Sequence, residues 1–212
     1  MKGLIMKDLY NISHNSKSML FVLVVFAVAF IPTSGLEGYN IACAFMFASM
    51  IVTTFSFDNF SNWTQYAMIM PVSRKELVAG KYVVLAIFCV IGSLFGLIIS
   101  SIGRLVIGFG HAEIAELLLV ALTALAISLI SGGMSIPLVF KFGAEKARML
   151  LVASVFIPAA VCLGIYQLVV KLGINIPEQL VVVLLCCSPI IALIWCYVMY
   201  RISCRIFEKQ EL

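Results

Sequence analysis

An all-α fold, a bundle of six membrane-spanning helices forming a single domain over residues 1–212, follows from three observations. Six runs of nineteen or more residues carry no charged side chain, and no other such run exceeds fifteen. The chain is 63% hydrophobic and only 11% charged, against about 25% charged for a soluble domain. Its basic residues also alternate between sparse and dense loops. Of 14 Lys and Arg, twelve fall on one side of the six runs, with Arg104 and Lys171 on the other. Positive charge is retained on the cytoplasmic side, so both termini are expected inside, which an even number of spans requires.

The six runs are Ser18–Leu36, Gly38–Phe57, Tyr82–Gly103, Leu117–Phe140, Met149–Val170 and Gln179–Tyr200. Each is long enough, since a helix needs roughly 20 apolar residues to cross a hydrocarbon core. Residues 3–18 precede the first. There Ile5, Leu9 and Ile12 recur at helical spacing opposite Lys7, Asn11, His14, Asn15 and Ser18. This pattern predicts an amphipathic helix lying in the inner interface with its lysines at lipid headgroups. A cleaved signal peptide is a poorer reading, because it would leave five spans and a mismatched charge pattern.

The excursion Asp58–Lys81 separates spans 2 and 3. Phe60, Trp63, Ala67 and Met70 mark one face of a short helix, stopped by Pro71. Ser73 and Glu76 then form a capping box that starts a new helix leading into span 3. Within the spans, Gly92, Gly96 and Ser100 recur every four residues, as do Ser128 and Gly132, which predicts close helix approach. Pro158 and Pro189 fall inside spans 5 and 6 and should kink them.

Several function classes are disfavoured. No span contains a charged residue, whereas proton relays and ion-coupled transporters place ionisable groups at membrane depth. An intramembrane enzyme lacks its acids and histidines for the same reason. Six of the seven cysteines, Cys43, Cys89, Cys162, Cys186, Cys187 and Cys196, lie within spans and Cys204 in the tail, so no disulfide framework is expected. With no C-x-x-C pair and with His14 and His111 far apart, no metal site is expected either. The chain has no G-x-x-x-x-G-K-[ST] loop for nucleotide, and no nucleic-acid partner is expected.

The run Met70-Pro71-Val72-Ser73-Arg74-Lys75-Glu76-Leu77-Val78-Ala79-Gly80-Lys81-Tyr82 resembles the cytoplasmic signature of small ABC-2 type permeases. The likeness extends to the basic N-terminal helix, the six spans and the short loop Lys141–Arg148. Among them, the chain is most similar to bacterial subunits that export amphipathic helical peptides such as phenol-soluble modulins. The resemblance implies a non-catalytic membrane subunit in the bacterial plasma membrane, paired with a second permease copy or a related permease. Separate ABC ATPase subunits would bind ATP and Mg and supply the energy. It also implies that Trp63, Tyr66, Met70, Pro71, Ser73, Arg74 and Lys75 form the coupling segment, with Lys141 and Lys146 as a smaller second contact. An uncharged lining suits an amphipathic peptide or a lipid-like drug. A membrane assembly or sensor subunit that docks a cytoplasmic partner through the same loop is the alternative.

Overall fold

The computed structural model describes residues 2–13, 16–69, 73–107, 114–144 and 178–209, with residues 146, 149–150, 164 and 167–168 as isolated positions. Among these residues six helices follow in order: α1 (Lys2–Ser13), α2 (Ser16–Phe60), α3 (Trp63–Ile69), α4 (Arg74–Ile107), α5 (Ile114–Phe142) and α6 (Glu178–Glu208). Among the described residues there is no strand. Among the described residues, four segments are long and apolar enough to cross a membrane: Gly35–Phe60, Arg74–Gly103, Glu116–Phe142 and Val182–Glu208. They coincide with the second, third, fourth and sixth expected spans. The fifth, with Pro158, lies almost wholly outside the described residues.

The first and second expected spans are the two arms of α2. Gly35 is the non-helical residue inside it, at φ 71° and ψ 179°, a conformation that costs glycine little and other residues more. The Tyr39 hydroxyl donates to the Leu23 carbonyl at 3.4 Å. In a continuous helix those residues would stand about 24 Å apart, so the chain turns back between them. Leu23, Tyr39 and Cys43 are buried together where the arms meet.

The small-residue stripe on α4 faces the second arm of α2. A Cβ on Gly92 would come within 2.7 Å of the Phe47 Cβ, and one on Gly96 within 2.6 Å of the Asn40 Oδ1. Ser100 donates to the Leu36 carbonyl at 3.0 Å. The backbones thus approach more closely than any larger residue would permit, as the four-residue repeat predicts. Beside this seam, Ile51, Val52 and Phe55 of α2 pack with Val84, Leu85 and Phe88 of α4 and Ile136 and Val139 of α5.

Helix α6 joins through polar contacts that its sequence does not advertise. The Tyr82 hydroxyl of α4 lies 3.2 Å from the Gly133 carbonyl of α5, to which it donates, and 3.0 Å from the Ser203 hydroxyl of α6. A buried hydroxyl without a partner is costly, so this triple contact fixes how the three helices meet. Much of the rest of α6 presents Val183, Leu184, Ile190 and Ile194 outward, as an apolar helix in lipid does. Pro189 is accommodated within the continuous α6, and Pro137 within α5.

Candidate functional site

The end of the bundle that gathers α1, α3 and the start of α4 is built from local signals in the sequence. Asn62, at φ 51°, turns the chain between α2 and α3; asparagine enters this region more readily than most residues. The Gln65 amide donates to the Asn62 carbonyl at 3.1 Å, beginning α3. The expected capping box opens α4: the Glu76 amide donates to the Ser73 Oγ at 3.2 Å, and the Ser73 amide to the Glu76 Oε2 at 3.0 Å. Two otherwise orphaned backbone donors are thereby satisfied.

Helix α3 divides its side chains differently from the face expected of it. Ala67 is buried and Trp63 is half-buried, with the Lys7 Nζ 4.5 Å from its ring centroid. Phe60 belongs to the end of α2. Around α3, Phe60, Tyr66 and Ile69 are left open, at 88%, 59% and 84% exposure. Tyr66 was expected at a contact; Ile69 was not, although its three-residue spacing from Tyr66 puts both on one helix face. Met70 and Pro71 lie outside the described residues.

Arg74 and Lys75 reach across to the end of α6. The Arg74 Nη1 donates to the carbonyls of Phe207 and Glu208 at 3.2 and 3.0 Å. A cation thus satisfies two of the carbonyls that a helix C-terminus leaves without partners. Lys75 lies 3.8 Å from the Glu208 carboxylate, with both side chains largely in the open, so that pair contributes little. Lys141, over the Phe142 ring, and Lys146 are exposed near the far end of α5.

Beneath these elements lies a cluster that the sequence reading did not assemble. Among the described residues, the buried charged side chains are Asp8, Asp58 and Lys81. The Lys81 Nζ lies 2.6 Å from Asp58 and 2.9 Å from Asp8, donates to the Thr54 hydroxyl at 3.0 Å and sits over the Phe55 ring. Lys7 pairs with Asp58 and stands 3.3 Å from Asp8. The four groups form a ring of alternating sign with no net charge. Lys7, expected among lipid headgroups, instead points into this ring. A clue was present: Asp58 closes the second charge-free run and Lys81 precedes the third. Opposite charges at the adjoining ends of neighbouring spans can pair.

The ring forms the floor of a cavity of about 530 Å³, whose walls include Trp63, Lys141, Phe140 and Phe207. Chemically the arrangement offers packing surfaces and buried ion pairs, and the described residues contain no cluster of potential metal ligands.

Helices long and apolar enough to cross a membrane define a polytopic membrane protein. Over residues 3–208 the chain matches the family described as ABC-2 family transporter protein, and it belongs to that family. Its place is therefore that of a permease subunit of an ABC transporter, working with an ABC ATPase. No curated protein shows a significant match to the chain.

Proposed function

We propose that this chain is the membrane half of an ATP-driven exporter, with six spans, both termini in the cytoplasm and a dimeric assembly that carries two ATPase subunits. The observation that carries this reading is α3. A seven-residue helix stands at the basic end of the bundle and leaves Tyr66 and Ile69 open beside Phe60. An apolar face of that kind, rimmed by charge, suits insertion into a cleft of a cytoplasmic partner. Lys141, which lines the cavity, and Lys146 supply a second contact. Helix α1 lies along the inner interface, with Met6 and Tyr10 outward and Ile5, Leu9 and Ile12 against the bundle.

The substrate class is an amphipathic or hydrophobic molecule, a helical peptide or a lipid-like drug. Support comes from the spans themselves, whose polar side chains are mostly hydroxyls bonded to carbonyls of their own helix, such as Ser128, Ser131 and Ser135. Such walls offer no fixed charge to an ion. The test is reconstitution with the ABC ATPase that partners this chain. ATP-dependent accumulation of a labelled amphipathic peptide inside inverted vesicles is expected, and must vanish when the ATPase is omitted.

A further inference from the structure

We propose that the ring of Lys7, Asp8, Asp58 and Lys81 is the positioning device that transmits movement of α3 to the spans. The inference rests on the reading of α3 as the ATPase contact. Lys7 and Asp8 both come from α1, Asp58 from the end of α2 and Lys81 from the start of α4. Every ion pair in the ring that joins one helix to another therefore passes through Asp58 or Lys81. Asp58 lies five residues before Trp63, where α3 begins. Trp63 in turn is held under Lys7, so α3 is tied to the ring at both its root and its inner face.

Charge in this position is not what stability alone selects. Replacing a buried ion pair by apolar groups is often neutral or stabilising, whereas removing a single partner is strongly destabilising. A ring of alternating sign has another property. It is tight only when all three helices are in register, because displacing one brings like charges toward each other. Such an array favours discrete arrangements over gradual deformation, as a two-position linkage requires.

The alternation also shapes the test. Exchanging Asp58 and Lys81 would set like charges beside Lys7 and Asp8, so a simple swap is uninformative. The double variant Asp58→Asn with Lys81→Met removes every ion pair between helices yet leaves Lys7 matched by Asp8. It is compared with wild type as the complete complex with its ATPase in lipid nanodiscs. Spin labels at Ile102→Cys and Val183→Cys, in a background without native cysteines, report the distance between the other ends of α4 and α6. Both sites are exposed, and Ile102 is about 31 Å along α4 from Lys81.

In the wild-type complex this distance should change on addition of ATP and vanadate. The double variant should assemble and hydrolyse ATP as wild type does, but the distance change should be lost. Asp58→Glu, which keeps the charge, should retain it. A double variant that keeps the full change overturns the linkage. So does one that fails to fold or to bind the ATPase, because the ring would then serve stability. A wild-type chain that neither binds the ATPase nor responds to nucleotide would instead overturn the permease reading itself.

Discussion

Asp58 and Lys81 show how a charge that enters the topology reading can have a second role in the fold. Counted with the other basic residues, Lys81 helps to orient the chain; in the fold it is buried between two aspartates. The pairing joins residues 51 and 73 positions away from α1, a separation that no helical periodicity reveals. Asp58→Asn strips Lys7 and Lys81 of a shared partner and should destabilise the chain by about 3–5 kcal/mol. Thermal unfolding in detergent would register the loss, and a melting temperature equal to wild type would refute the buried ring. Gly96, by contrast, was legible, because spacing alone marks it as an interface residue. Gly96→Ala presses a methyl group against Asn40 and should cost about 1–3 kcal/mol by overpacking. Gly3→Ala, with nothing within 4 Å, should be close to neutral in the same assay.

At the scale of elements, the helices themselves were largely readable. Charged residues bound the apolar runs, and the Ser73–Glu76 box announces the start of α4 before any coordinate is known. Two features were not. Gly35 rather than the neighbouring Glu37 makes the turn inside α2, since backbone freedom and not charge decides where a helix reverses. On α3, Trp63 and Ala67 look like a contact face because they are apolar, but the ring beneath draws Trp63 inward through Lys7. The open face is therefore carried by Tyr66 and Ile69. Truncating either to alanine should weaken ATPase binding by about 2 kcal/mol, as for other interface anchors, while leaving membrane insertion intact. Titration of the ATPase onto variant chains in nanodiscs would measure this. Affinity unchanged in both variants would move the contact elsewhere. Ser73→Ala, which loses one cap, should destabilise the first turn of α4 by about 1 kcal/mol, with a milder defect in the same titration.

For the whole molecule, the twelve-to-two division of Lys and Arg sets the orientation to be tested. Cysteines introduced at Glu113 or Glu178 in a cysteine-free chain should react with impermeant thiol reagents in intact cells, and those at Lys75 or Lys146 should not. The reverse pattern would invert the topology. Membership of the ABC-2 transporter family, which the match over residues 3–208 shows, was legible through the resemblance carried by the continuous stretch from Met70 to Tyr82. The substrate was not, because uncharged, apolar spans carry no sequence motif that names one.

The central claim is that this chain has no hydrolytic chemistry of its own and acts through a partner that grips α3. It is tested most directly by ATP hydrolysis measured in nanodiscs for the chain alone, the ATPase alone, their complex, and the complex with Tyr66→Ala and Ile69→Ala combined. The chain alone should be inactive, the complex should hydrolyse ATP faster than the isolated ATPase, and the double variant should fall back to the isolated rate. Hydrolysis by the purified chain alone, or a double variant as active as the wild-type complex, would contradict the account.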